Sequence, residues 1–246
     1  MSQIAVVTGA GRGIGRVTSI SLAANGWTVV VTGRDSAAIE SVAKEAGNGA
    51  VAITCDVSDP ESVREMFAQV KSKFGRLDLL FNNAGIPSRG VPIDELSVEE
   101  WRQVVDINLS GVFYGIQQAF ALMKSQNPQG GRIINNGSIS AHVPRPNSGP
   151  YTATKHAVTG LTRSASLDGR EFNIACGQID IGNADTDMAS AQRAGAMQPN
   201  GTQVVEPTIN PQIVADAVLY MAGLPLDANV QFMTVMATKM PYIGRG

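Results

Sequence analysis

Thr8-Gly9-Ala10-Gly11-Arg12-Gly13-Ile14-Gly15 follows directly on the apolar run Ile4-Ala5-Val6-Val7 and opens a stretch of helical period at 15–25. Glycines at 9, 13 and 15 permit a tight turn, let backbone approach a pyrophosphate, and let the helix pack closely on the strand. The helix N-terminus adds unpaired N–H groups and the positive end of its dipole. In isolation a glycine-rich turn says little, but after a first strand and before a first helix it predicts a dinucleotide site. Working outward, short apolar runs at 4–8, 28–32, 51–56, 77–82, 132–136 and 174–179 alternate with helical patterns at 15–25, 37–45, 60–74, 98–124 and 151–167. Strands that are apolar throughout, separated by helices, indicate a parallel sheet covered on both faces. The fold class is therefore α/β, doubly wound.

Boundary residues agree with this division. Asp59-Pro60 places a capping residue before proline at the first helical position, Ser97 and Glu100 form a capping box ahead of Trp101, and Gly75 and Gly130-Gly131 are expected to end helices. No linker, repeat or low-complexity segment divides the chain, so residues 1–246 read as one domain. The least regular stretch, 187–211, is rich in Ala, Gln, Gly, Met, Asn and Pro and is expected to be a substrate lid. A final strand is expected at 229–238, with a short tail Gly244-Arg245-Gly246.

Composition excludes several function classes. A formal charge of -2 leaves no basic stripe for nucleic acid, and no apolar run approaches the roughly 20 residues that span a bilayer. The N-terminus enters its first strand with no signal peptide before it, so a cytoplasmic location is expected. The two cysteines, Cys55 and Cys176, lie in strand-like apolar contexts, without a Cys/His cluster. They read as buried small hydrophobes, and metal binding has no support. With His142 and His156 the only histidines, a His-based triad is poorly provided for.

Chemistry concentrates in Tyr151-Thr152-Ala153-Thr154-Lys155. On a helix, positions i and i+4 share a face about 5–6 Å apart. An ammonium beside a phenol favours the phenolate, so Lys155 is expected to draw the Tyr151 pKa down and make it a tuned proton donor and acceptor. Ser138, thirteen residues before Tyr151, closes the strand-like run Arg132-Ile133-Ile134-Asn135-Asn136-Gly137. At the end of the second strand stand Gly33 and Arg34. A guanidinium there suits a ribose 2′-phosphate, with Arg12 adding charge, whereas an acid such as Asp35 would bond a free 2′-hydroxyl. NADP is expected over NAD.

These residues resemble the classical short-chain dehydrogenase/reductase family over nearly the whole chain, and the resemblance implies a Rossmann-type fold. The glycine motif stands as Thr8-Gly9 to Gly13-Ile14-Gly15, the adenine contact as Asp56-Val57, and the fourth-strand motif as Asn82-Asn83-Ala84-Gly85. Asn108, Ser138, Tyr151 and Lys155 match the catalytic positions. By the resemblance, Ser138 hydrogen-bonds the substrate oxygen, Tyr151 exchanges the hydroxyl proton, Lys155 holds the nicotinamide ribose and lowers the tyrosine pKa, and Asn108 anchors a relay water. Ser140 competes with Ser138, and Asn108 could simply bond nearby backbone.

The chain departs from the family's Pro-Gly pattern after the sixth strand, where it reads Ile181-Gly182-Asn183-Ala184-Asp185-Thr186. Gly182, Ala184 and Thr186 keep their expected cofactor role. Loss of the proline is expected to free the loop and to add a donor that needs a partner. Substrate choice is expected to lie in 86–92, 139–150 and 187–211. His142 is either a substrate contact or a loop histidine facing water; Arg89, Arg145 and Arg193 are either carboxylate clamps or solvated. The resemblance implies a homodimer or homotetramer. The leading expectation is an oxidoreductase interconverting a secondary alcohol and a ketone. A 3-oxoacyl thioester reductase is the narrower alternative, and a non-catalytic dinucleotide-binding regulator the rival from another class.

Overall fold

The computed structural model describes residues 2–189 and 194–243. A seven-stranded parallel sheet in the order β3-β2-β1-β4-β5-β6-β9 forms its centre. The strands are β1 (Ile4–Val7), β2 (Thr28–Gly33), β3 (Val51–Thr54), β4 (Leu79–Asn82), β5 (Gly131–Asn136), β6 (Ile174–Ile181) and β9 (Phe232–Val235). The helices are α1 (Gly13–Ala24), α2 (Ser36–Ala46), α3 (Pro60–Phe74), α4 (Val98–Val105), α5 (Gly111–Ser125), α6 (Gly149–Asp168) and α7 (Pro211–Ala222).

The continuous apolar runs of the sequence become strands buried on both faces. Val6 and Val30 point into one core with Val63, Met66, Phe67 and Val70 of α3 and with α5 and α6. Their neighbours Ala5, Val7, Val29 and Val31 point into the other, against α1, α2 and α7. In α3 the buried positions recur at the i, i+3, i+4, i+7 spacing that one helical face requires. That helix starts where Asp59 accepts the Glu61 N–H with Pro60 in the first turn, and stops at left-handed Gly75. Ser97 and Glu100 form the expected capping box of α4.

Some boundaries differ from the sequence reading. Gly130-Gly131 does not end a helix: α5 stops at Ser125 with Gln126 as its cap, and Gly131 already begins β5. Gln126 takes over by bonding both Leu77 and the Gly130 carbonyl through its side chain. The expected helix 98–124 is interrupted by a π-helical turn, Asp106–Ser110, that widens the backbone at Asn108. The last strand is shorter than 229–238. Within the irregular stretch 187–211, the described residues include a short antiparallel pair, Ala196–Met197 (β7) with Gln203–Val204 (β8). Arg193 and the tail 244–246 lie outside the described residues.

Buried Arg132 was not foreseen as structural. Its guanidinium donates to Asn229 Oδ1 at 2.9 Å and to the carbonyls of Leu224, Pro225 and Ala228, tying the start of β5 to the loop before β9. Among the described residues no helix is long and apolar enough to cross a membrane, and none of them forms a group of metal-ligating side chains. Both cysteines are buried and free.

Candidate active site

The parallel sheet places the ends of β1, β4, β5 and β6 side by side, and the sequence-expected residues gather there. Gly9 (φ +62) and Gly13 (φ +55) take the left-handed backbone that glycine adopts without strain. A Cβ on Gly9 would lie 2.8 Å from the Cα of Ala84, and one on Gly15 2.6 Å from Asn83 Nδ2. The loop is therefore seated on the fourth-strand motif. Thr8 completes the joint by accepting the N–H groups of Asn83 and Ala84 at its hydroxyl, while Asn83 Nδ2 donates to the Thr8 carbonyl at 2.9 Å. Helix α1 begins without a side-chain cap and with no acid in its first turn. Its first-turn N–H groups thus carry the positive end of the helix dipole with no acidic side chain set against them, beside the exposed Arg12. Gly13 also approaches Thr186, 3.5 Å from Cγ2 to a hypothetical Cβ.

At the far end, Asp35 is engaged as the N-cap of α2, accepting the Ala38 N–H at 3.1 Å. Arg34 is exposed and lines a cavity of about 340 Å³ with Ser58, Arg102 and Asp106. Burial pushes the Asp56 carboxyl up, but hydrogen bonds from Ser58 and the Arg34 charge outweigh it and hold the group below the ordinary carboxylate value. Val57 packs against Gly111 at the head of α5, where an added Cβ would stand 2.9 Å from its carbonyl.

On α6, Tyr151 and Lys155 share one face, with Lys155 Nζ 5.5 Å from the ring centre. Lys155 is buried and donates to the Asn136 carbonyl at 2.6 Å. Burial pulls its ammonium down to about 8, opposed by the charge of Asp180. The expected lowering of the Tyr151 pKa is overturned: burial of the phenol raises it, and the hydrogen bond to Ser138 and the charge of Arg145 only partly oppose that. Tyr151 is therefore held protonated in the polypeptide itself. Ser138 lies two residues beyond β5 and accepts the Ser140 N–H at 3.1 Å; it is Ser138 rather than Ser140 whose side chain meets the tyrosine. Asn108 uses both ends of its amide on Ile86, accepting its N–H at 2.8 Å and donating to its carbonyl at 2.9 Å. Gly85 lies against that amide.

The departure at Ile181 resolves differently from expectation. Strand β6 runs on through Ile181 in register with Val235, and the Gly182 N–H donates to the Val235 carbonyl at 2.9 Å. The loop is fixed by the sheet in place of a proline ring. Beyond it, Ala184 bridges Ile209, and the Thr186 N–H bonds the Ala184 carbonyl at 2.8 Å.

Two polar groups escaped sequence reasoning. Arg145 does clamp a carboxylate, but it is this chain's own Glu206. Its Nη1 donates to Glu206 Oε1 at 2.7 Å, and its Nη2 to Glu206 Oε2 and, at 3.1 Å, to Asn183 Oδ1. Asn183 and Gln198 donate to the same carboxylate at 2.8 and 2.9 Å, so the loop after β6 is tied to residues 187–211. The second group is Asp180 with His142, 2.8 Å apart. Gln178 and Asp180 at alternate positions of an otherwise apolar strand were the signal for it.

A family model described as short chain dehydrogenase matches residues 3–196. A 3beta-hydroxysteroid dehydrogenase of Mediterraneibacter gnavus is 37% identical over 195 residues, covering 78% of this chain and 70% of that protein. Two solved structures superpose closely. One is a 3-ketoacyl-(acyl-carrier-protein) reductase from Brucella melitensis complexed with NADH, with a TM-score of 0.87 and 27% identity over 96% of this chain and 98% of that one. The other is an alcohol dehydrogenase from the archaeon Thermococcus sibiricus complexed with 5-hydroxy-NADP, with a TM-score of 0.84 and 26% identity over 98% and 99%.

Proposed function

The chain belongs to the short-chain dehydrogenase family of oxidoreductases acting on alcohol and ketone groups, and from that premise we propose that it transfers a hydride between NADP and a secondary alcohol or ketone at Ser138, Tyr151 and Lys155. The observation that carries this reading is the convergence of those side chains at the strand ends beside the uncapped N-terminus of α1. When bound, the dinucleotide supplies or accepts the hydride at the carbon.

Each residue has a share of the remaining work. Ser138 and Tyr151 donate hydrogen bonds to the substrate oxygen as negative charge develops on it. In ketone reduction the Tyr151 hydroxyl gives its proton to that oxygen, which suits a phenol held protonated by burial. Lys155, an ammonium on the same helical face, steadies the phenolate left behind. Asn108 holds the loop at Ile86 and has the share, carried by the family resemblance, of anchoring a relay water. Gly9, Gly11, Arg12, Gly13, Ile14 and Gly15 hold the pyrophosphate; Asp56, Val57, Asn83, Ala84 and Gly85 line the adenosine and ribose path; Gly182, Ala184 and Thr186 hold the nicotinamide amide. Arg34 reads a 2′-phosphate, favoured because Asp35 is occupied as a cap. Residues 187–211 form the substrate lid, and exposed Phe113 and Leu167 on α5 and α6 fit a homodimer or homotetramer.

A 3-oxoacyl thioester on an acidic carrier is not favoured, since the only cation in 187–211 is Arg193. Fluorescence titration with NADPH and NADH, followed by a ketone panel on the saturated protein, tests the reading. Tighter NADPH binding, turnover of a ketone, and loss of turnover with retained binding in Tyr151→Phe are expected. A parent that binds dinucleotide but turns over no ketone would leave a binding protein.

A further inference from the structure

One buried carboxylate has no part in the reaction just described, yet it touches the machinery on two sides. Asp180 sits near the end of β6 with its side chain 1% exposed. Its Oδ1 accepts the Ser138 N–H at 3.1 Å and Gln178 Nε2 at 2.7 Å, while Oδ2 lies 2.8 Å from His142 Nε2. Burying a carboxylate is costly unless donors surround it, and here three do. The neighbouring strand end has been left clear for it, since a Cβ on Gly137 would stand 2.0 Å from Asp180 Oδ1. Lys155 donates to the carbonyl of Asn136, two residues before Ser138. The carboxylate and the ammonium therefore hold the same short segment from opposite ends.

We propose that Asp180 is a positioning residue for this reaction: from the end of β6 it fixes the backbone at Ser138 and, across the segment Asn136–Ser138 that Lys155 holds from its other end, sets the electrostatic surroundings of that buried lysine, with His142 as its solvent-side partner. The inference rests on the reading of Ser138, Tyr151 and Lys155 as the reacting set. Among the described residues, the titratable and charged groups facing Lys155 are Tyr151 on the same helix, Asp180 on β6, Arg145 through its charge on Tyr151, and His142 through Asp180. From β5 comes the neutral carbonyl of Asn136. Desolvation draws Lys155 down to about 8 and Asp180 opposes that. Removing the Asp180 charge therefore lowers the Lys155 value further. A purely structural aspartate would move nothing at Lys155 so long as an acceptor for Ser138 remained.

Asparagine at 180 keeps an acceptor and removes the charge, so it separates these roles. The experiment is a pH titration of the full chain carrying 13Cε-lysine, followed by NMR, with the Lys155 resonance assigned by its loss in Lys155→Met. The parent midpoint is expected near 8, and in Asp180→Asn about one pH unit lower, the size typical of losing one nearby opposite charge. His142→Arg places a fixed cation on Asp180 from a side chain 39% exposed, leaves the core intact, and is expected to lower the midpoint in the same direction even if Asp180→Asn folds poorly. Unchanged midpoints would overturn the proposal. In ketone reduction the alkaline limb of kcat/KM should move with the NMR midpoint. A parent inactive with every ketone would defeat the functional reading, while the Lys155 titration would still decide the role of Asp180.

Discussion

Glu206→Gln removes the charge at the centre of the Arg145 cluster, and the structure sets the size of the effect. The Glu206 side chain is 0% exposed and accepts from Arg145, Asn183 and Gln198. Burial pushes its carboxyl up, but those hydrogen bonds and the Arg145 charge outweigh it and bring the group from 4.5 to about 2. At about 1.4 kcal/mol per pH unit this is about 3 kcal/mol of native stability. Because the folded value is depressed, that stability is fully present above the unfolded value of 4.5 and is lost as pH falls toward 2. A glutamine amide would also aim a donor at groups that themselves donate. Urea unfolding of parent and variant, followed in parallel from pH 7 to pH 2, is expected to show the variant about 3 kcal/mol less stable at pH 7, the gap closing as the medium becomes acid. In thermal unfolding the same loss is roughly 6–12 °C for a chain of this size. A gap that stays constant across the acid range, or no gap at pH 7, would mean that the ion pair contributes nothing net.

Arg34→Ala should weaken NADPH binding roughly 10- to 100-fold, the worth of one charge-assisted contact, and leave NADH binding unchanged; equal losses for both would remove Arg34 from the 2′-phosphate. Gly9→Ala meets both a φ of +62 and a Cβ 2.8 Å from Ala84, so calorimetry should show a fall in Tm equivalent to about 1–3 kcal/mol, with dinucleotide affinity lost alongside. Unaltered Tm and affinity would show that the loop is not seated as described. Gly137→Ala forces the Asp180 carboxylate aside and with it the Ser138 backbone, so kcat should drop on the order of 100-fold while NADPH affinity in the same titration holds.

The sheet and its helices were legible because their signals are local. Val29-Val30-Val31 has no polar position to face water, and Asp59-Pro60 and Ser97 to Glu100 write helix starts directly into the sequence. The spacing of Tyr151 and Lys155 is likewise one helical turn. What escaped depends on partners distant along the chain. Arg145 meets Glu206 across 61 residues and His142 meets Asp180 across 38, so neither arginine nor histidine announces its partner. The Tyr151 pKa differs from the sequence reading for a related reason: an i+4 ammonium is visible in sequence, but the burial that raises the phenol against Ser138 and Arg145 is a property of the assembled site. Gly130-Gly131 misled because glycine marks a helix end only where the helix reaches it.

The continuation of β6 through Ile181 shifts the source of the nicotinamide loop's order from a residue to a neighbour. A proline would carry its own rigidity; here the loop borrows it from β9, the outermost strand of the sheet. Outer strands exchange their amide protons ahead of the core, and the Gly182 amide, bonded to Val235, is tied to that fraying. Warming should therefore disorder the nicotinamide loop together with the sheet edge while the interior strands remain protected. A bound dinucleotide that grips Gly182 to Thr186 would in turn slow exchange in β9, one hydrogen bond beyond the residues it touches.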